Sequence, residues 1–237
     1  MKATACLLPL FLLLLAIHAR AGEPAPLHLR VVASIPDPAE QSIEARVVVE
    51  GVDEKTTFRL HGALEVVTGS GVLEAGGTEQ VAWAGDAAEP IPVRTWHWSG
   101  KAPMELRLRG KIHHALAAED QEYARSFSRT PGLVDAKGVF LSGATWWLPA
   151  FDGRLVTFEL TTRVPEGWDT VSQGERAAHR IVDGMRETTW TCTAPQEEVY
   201  LVAAPFHEFS RQAGGVTASI EYAVAVLGVK DIVVCGH

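Results

Sequence analysis

Short segments in which apolar and polar residues alternate are the feature that most constrains this chain. Ile43, Ala45, Val47 and Val49 would share one face of a strand, and residues 27–33 repeat the pattern. A period of two residues is typical of a β-strand with one buried face. Further segments of this kind are 56–60, 64–68, 94–99, 104–110, 139–141, 155–164, 188–193 and 199–203. Many short strands separated by polar turns predict a mainly β domain, an antiparallel β-sandwich or open sheet.

The pattern changes near Gly214. Within residues 217–228 the apolar side chains recur at helical spacing, and Ile232–Val234 is a short apolar run typical of a buried parallel strand. The apolar helical positions are Ile220, Ala223, Val224 and Leu227. These features predict a short α-helix followed by a β-strand, a C-terminal fragment with no parent sheet elsewhere in the sequence.

The N-terminal residues have the features of a secretory signal peptide. Lys2 precedes the apolar run Leu7–Ile17, and Ala19-Arg20-Ala21 fits a small-x-small cleavage site. The run is too short to span a bilayer, which takes roughly 20 residues. We therefore expect an exported protein, periplasmic or extracellular, with no stable membrane span after cleavage. The predicted division is a signal peptide at 1–21, a β-domain at 22–211 and a C-terminal fragment at 212–237.

The charge of the mature chain argues against a nucleic-acid partner. Removing Lys2 and Arg20 leaves 19 basic residues against 29 acidic ones, a net charge of −10. Binding to phosphates needs a basic face, which this balance does not favour. Cys192 and Cys235 remain after cleavage, and the sequence leaves open whether they pair. It also leaves the oligomeric state open.

Two histidine-containing motifs do not predict a catalytic site. Residues His207 and Glu208 begin a stretch that resembles a zinc-peptidase helix, but Arg211 replaces the second histidine. We interpret His207 and Glu208 as ordinary surface or linker residues. The adjacent His113 and His114 would point in different directions, which makes shared metal binding awkward, and we interpret them as solvated loop residues.

An aromatic cluster between residues 138 and 152 has two possible roles. Its members are Phe140, Trp146, Trp147 and Phe151. Such a cluster packs the core of a sheet or lines a groove for a peptide or glycan. The sequence favours the core and leaves a binding module around Trp146 and Trp147 as an alternative.

Residues 28–211 resemble the N-terminal β-domain of the aminopeptidase N-like zinc metallopeptidases. The matching stretches are Leu27–Val31, Pro38–Ala45, Gly138–Ser142, Phe158–Trp168, Val171–Gly174, Thr189–Thr191 and Tyr200–Ala204. In that family the domain is a β-scaffold that covers the active site, and a following domain carries the zinc-binding two-histidine helix. That motif is not found in the present sequence, so the resemblance transfers no catalytic residue.

Residues 214–237 resemble a different family, the β-class carbonic anhydrases. The stretch Gly214–His237 is similar to that family throughout and ends in Cys235-Gly236-His237. The resemblance implies that His237 is a zinc ligand. The family's second ligand, a cysteine three residues later, and its earlier Cys-x-Asp-x-Arg motif are not in the sequence. One imidazole would hold zinc weakly, because zinc sites take three or four protein ligands.

These features together predict a chain without a complete activity of its own. It would join an exported, non-catalytic β-scaffold of the aminopeptidase type to a truncated carbonic anhydrase segment, with zinc implied only by family. The alternatives are a zinc-dependent carbonic anhydrase that hydrates CO2, with its other ligands drawn from elsewhere, and a peptide- or glycan-binding module.

Overall fold

A computed structural model describes residues 24–82, 90–114 and 130–208 of the protein. Within these ranges the chain forms β-strands and two short 3-10 turns, at Pro38–Glu40 and Gly143–Thr145, and no α-helix. The prediction of a mainly β domain is therefore confirmed. The described part of the chain contains no helix long and apolar enough to cross a membrane. The predicted signal peptide, the C-terminal helix and strand, and His237 lie outside the described residues.

Fourteen strands are present in the described ranges. They are β1 (Leu27–Ser34), β2 (Ser42–Glu50), β3 (Lys55–His61), β4 (Leu64–Thr68), β5 (Val72–Val81), β6 (Ile91–Ser99), β7 (Met104–Lys111), β8 (Gly132–Asp135), β9 (Gly138–Leu141), β10 (Val156–Pro165), β11 (Asp169–Val171), β12 (Glu175–Val182), β13 (Met185–Gln196) and β14 (Leu201–Ala204).

The strands form three open sheets. The first has seven strands in the order β12-β13-β10-β1-β2-β7-β4, the second has four in the order β11-β14-β9-β8, and the third has three in the order β3-β6-β5. All neighbouring strands are antiparallel except β1 and β10, which run parallel with Leu29 opposite Phe158. This one departure from the antiparallel prediction is possible because the long segment between the two strands serves as a crossover connection.

One hydrophobic core joins the three sheets. Phe58 and Trp98 come from the three-stranded sheet, Phe158 from the seven-stranded sheet, and Leu201 from the four-stranded sheet, and all are at most 1% exposed. The alternation in the sequence determines which residues enter this core. On β2 the four residues predicted to share a face are all buried, and Val47 and Val49 are completely so.

Candidate functional site

One cluster of ionisable side chains lies where the chain leaves β14. Asp169 begins β11, His179 lies on β12, and Glu208 follows β14. The Nε2 atom of His179 lies 2.7 Å from Oδ2 of Asp169, and ligand atoms of all three residues lie within 4.8 Å of one another. β11 and β12 are edge strands of different sheets, so the cluster bridges two sheets.

Arg176 neutralises one member of this cluster. Its two terminal nitrogens donate to the two carboxylate oxygens of Glu208, at 2.9 Å and 2.7 Å. These hydrogen bonds raise the pKa of Arg176 and lower the pKa of Glu208. The bidentate geometry is the strong form of an arginine–carboxylate pair. It anchors residue 208, the last described residue, to β12.

The cluster does not fit a zinc centre as it stands. One imidazole and two carboxylates are donors that zinc accepts. However, both oxygens of Glu208 are already bonded to a guanidinium group, whose positive charge would repel a cation beside it. We therefore assign the cluster a structural role. Glu208, predicted to be an ordinary surface or linker residue, is exposed, and no local pattern links it to Arg176, 32 residues away.

A pair of histidines lies between the three-stranded and the four-stranded sheet. Nε2 of His61 is 3.0 Å from Nε2 of His114, and the rings cross edge to face. His61 ends β3 and its backbone N–H donates to the carbonyl of Trp146. The backbone N–H of His114 donates to Gly132 on β8. The pair therefore connects the three-stranded sheet with the four-stranded sheet.

The surroundings of His61 determine its tautomer. The backbone N–H of Ala63 donates to Nδ1 of His61 at 3.1 Å, so a neutral His61 carries its proton on Nε2. That proton is then available to donate to Nε2 of His114. Burial and, to a smaller extent, the nearby His114 together lower the pKa of His61 to about 4. A metal ion would require a lone pair on Nε2 of His61, which this tautomer does not offer.

The interpretation of His113 and His114 as solvated loop residues is half right. His113 is exposed, and its ring bonds the carbonyl of Val134. His114 is partly buried against His61. The two neighbours do point in different directions, as predicted. No local pattern links residues 61 and 114, so only the fold reveals the pair.

The aromatic cluster is mainly part of the core. Trp147 is 2% exposed and donates its Nε1–H to the carbonyl of Val199 at 3.0 Å. Phe151 is buried and lies 5.9 Å from the ring of Phe58. The favoured prediction of a core role is therefore confirmed for these two residues. Trp146 and Phe140 stay partly exposed.

A cleft of about 260 Å³ opens between the start of the domain and β3. Leu27 and Phe58 line its apolar side, and Arg59 lines its polar side. The Arg59 guanidinium contacts Asp152 at 2.5 Å and Glu79 at 3.7 Å. Because two carboxylates already neutralise Arg59, the cleft does not present an excess of positive charge from it.

The residues expected to carry zinc chemistry are not in the described part of the chain. His237 and Cys235 lie outside the described residues, so the role of His237 as a zinc ligand stays a prediction and the pairing of Cys192 with Cys235 stays open. Cys192 is 5% exposed on β13, and its thiol donates to the carbonyl of Ala194 at 3.4 Å. Glu187, also on β13, is buried and forms ion pairs with Arg163 and Arg180. Hydrogen bonds from Arg180, and then from Arg163, lower its pKa.

Comparison with known proteins gives two unrelated similarities. The family model described as carbonic anhydrase matches residues 198–237. A carbonic anhydrase of Pseudomonas aeruginosa is 76% identical over 29 residues, which are 12% of this chain and 13% of that protein. This similarity is strong but short, and the chain spans only a small part of the relative.

The other similarity concerns the fold. An M1 zinc metallopeptidase of Deinococcus radiodurans, solved with a Tyr-Ser-Ala substrate, superposes with a TM-score of 0.50 at 15% identity. The match covers 81% of this chain and 46% of that protein. An aminopeptidase N family protein of Idiomarina loihiensis gives a TM-score of 0.48 at 9% identity over 79% of this chain and 31% of that protein. The described β-domain thus has the fold of the N-terminal domain of M1 aminopeptidases, and the stretch similar to carbonic anhydrases, residues 198–237, overlaps its last strand.

Proposed function

We propose that the protein is an exported, non-catalytic β-scaffold of the zinc-aminopeptidase type that carries a carbonic anhydrase-like segment with one zinc ligand, His237. The observation that carries the proposal is the fold of residues 24–208, which has the architecture of the M1 N-terminal domain. Two further observations support it. The buried His61 stays neutral at physiological pH and carries its proton on Nε2, so this atom has no lone pair for a metal ion. The exposed Glu208 is bound by Arg176, so its carboxylate is not available to a metal ion either.

A second candidate is carbonic anhydrase activity, which the match over residues 198–237 favours. That activity would need further zinc ligands beside His237, because a catalytic zinc site uses three protein ligands and an open position. Zinc would then lower the pKa of a bound water, as such sites do. A peptide- or glycan-binding module is the third reading, and the partly exposed Trp146 is the side chain it would use.

Zinc content and turnover of the purified chain separate the first two candidates. We expect much less than one zinc per chain, and no measurable CO2 hydration or hydrolysis of aminoacyl chromogenic substrates. His237→Ala should leave both measurements unchanged. Stoichiometric zinc together with CO2 hydration that His237→Ala abolishes would establish the second candidate instead. For the third, Trp146→Ala should abolish retention on peptide or glycan arrays that the unmodified chain binds.

A further inference from the structure

The four-stranded sheet has two apolar faces. Val139, Leu141, Leu201 and Ala203 point into the common core and are at most 2% exposed. Neighbouring residues on a strand point to opposite faces, so the residues between them lie on the other side of the sheet. That side carries Leu133 on β8, Phe140 on β9 and Val202 on β14. We call these three residues the apolar row.

The strand register brings the apolar row together. Phe140 is the direct partner of both Leu133 and Val202, so the three side chains lie side by side across three strands. Val171 on β11 is the partner of Val202 and extends the row to the edge of the sheet, where it also contacts the core. Leu133 is 8% exposed yet lies outside the core cluster, and Phe140 and Val202 are partly exposed.

The path of the chain brings one candidate segment to this sheet. β14 belongs to the sheet, and the chain leaves it at Ala204 and is anchored by Arg176 at Glu208. The apolar stripe of residues 217–228 therefore begins only a short linker away. Ile220, Ala223, Val224 and Leu227 form this stripe.

The lengths of the linker and of the predicted helix are compatible with the width of the four-stranded sheet. Residues 209–216 can extend by about 27 Å, at up to 3.3–3.6 Å per residue. Four strands spaced about 4.8 Å apart make a sheet about 14 Å across. A helix of 12 residues is about 18 Å long. The linker thus reaches every position of the apolar row, and the helix is long enough to cover it.

We propose that the apolar row is the docking surface for residues 217–228 of the same chain. Docking would remove both apolar surfaces from water, and the favourable free energy grows with the apolar area buried. The regions on either side of residue 211 would then resemble two different families and still fold as a single unit. This inference does not depend on the proposed function, because it concerns packing and requires no zinc or turnover.

Amide hydrogen exchange of the full chain, followed by mass spectrometry, tests the proposal. We expect residues 217–228 to exchange at least about tenfold more slowly than an unstructured peptide. Val202→Asp should remove that protection, because it places a charge in the apolar row. Val67→Asp is the matched control, since Val67 is 63% exposed on the edge strand β4. It should leave the protection of residues 217–228 unchanged.

A reciprocal pair of variants tests the other surface. Leu227→Asp should remove the protection of residues 217–228, whereas Val226→Asp, on another side of the predicted helix, should retain it. Protection of β10 and β13 amides in every variant shows that the scaffold has remained folded. Where Val202→Asp unfolds the scaffold, Leu227→Asp still decides the question.

Three results would overturn the proposal. The first is exchange of residues 217–228 at unstructured rates in the unmodified chain. The second is protection that survives both Val202→Asp and Leu227→Asp, which would place the segment elsewhere. The third is protection that disappears on dilution together with a dimer in solution, which would make a second copy the occupant of the apolar row.

Discussion

The β-scaffold and the carbonic anhydrase-like segment are similar to known proteins in opposite ways. The scaffold shares its fold with the M1 zinc metallopeptidase of Deinococcus radiodurans over 81% of this chain, at only 15% sequence identity. The segment is 76% identical to a carbonic anhydrase of Pseudomonas aeruginosa, but over only 29 residues. A sheet core accepts many apolar residues of suitable size, so its fold survives extensive substitution. The similarity of the segment is instead confined to a short stretch, 12% of this chain and 13% of the relative.

The two similarities overlap at residues 198–208, and there the scaffold determines the structure. The carbonic anhydrase match begins at Glu198, yet Leu201 and Ala203 are completely buried in the scaffold core. The carboxylate of Glu198 accepts from the backbone N–H of Gly143 at 2.6 Å and from the hydroxyl of Tyr200. The bond to Glu198 raises the pKa of Tyr200 to about 12. The physical border between the two regions therefore lies after β14.

The largest effect should come from the scaffold core. Trp147→Ala removes a 2% exposed side chain and leaves the carbonyl of Val199 without its indole donor. Truncating a buried tryptophan to alanine destabilises a protein by about 3–5 kcal/mol. We expect a loss of this size in denaturant unfolding followed by circular dichroism.

Trp146→Ala provides the comparison for that variant. Trp146 is partly exposed, so its truncation should cost clearly less than that of Trp147. Equal losses would contradict the assignment of Trp147 to the core and of Trp146 to the surface. Leu227→Ala in the second region should cost less than either if the core alone provides most of the free energy of unfolding.

The next effect is a dependence of scaffold stability on pH. Burial lowers the pKa of His61 from 6.5 to about 4. Between pH 6.5 and pH 4 the unfolded chain therefore binds a proton at His61 and the folded chain does not. The stability is fully present above pH 6.5 and is lost as the pH falls towards 4. At about 1.4 kcal/mol per pKa unit, the loss amounts to about 3 kcal/mol. Urea unfolding at several pH values measures it.

His61→Gln removes the titrating group and should flatten this part of the pH profile. His97→Gln is a control at an exposed histidine on β6 and should leave the profile unchanged. An unchanged acid loss in His61→Gln would show that other groups, such as the carboxylate of Glu187, dominate. Protonation of His114 would also break the pair, because its Nε2 could no longer accept the proton of His61.

The sequence predicts ten of the fourteen strands of the scaffold and misses β5, β8, β11 and β12, and it predicts the long-range contacts poorly. β5 and β12 are exposed along most of their length, so no apolar face marks them in the sequence. Alternation identifies Ile43, Ala45, Val47 and Val49 as one buried face, because burial on a strand follows a local period of two. It does not predict the parallel pairing of β1 with β10, nor the contact of His61 with His114. These contacts depend on how distant strands are arranged, and no local pattern carries that information. For the same reason the sequence does not predict the ion pair of Glu208 with Arg176.

The smallest effect should come from the border itself. Glu208→Gln removes the charge that Arg176 binds, but the two side chains are 53% and 33% exposed. Exposed ion pairs contribute less than about 1 kcal/mol, and salt screens them. We expect the unfolding midpoint to change little at low salt and not at all at high salt, whereas amides of residues 205–208 exchange faster. A loss of several kcal/mol would instead mean that the Arg176–Glu208 pair stabilises the scaffold core itself and not only residues 205–208 at its border.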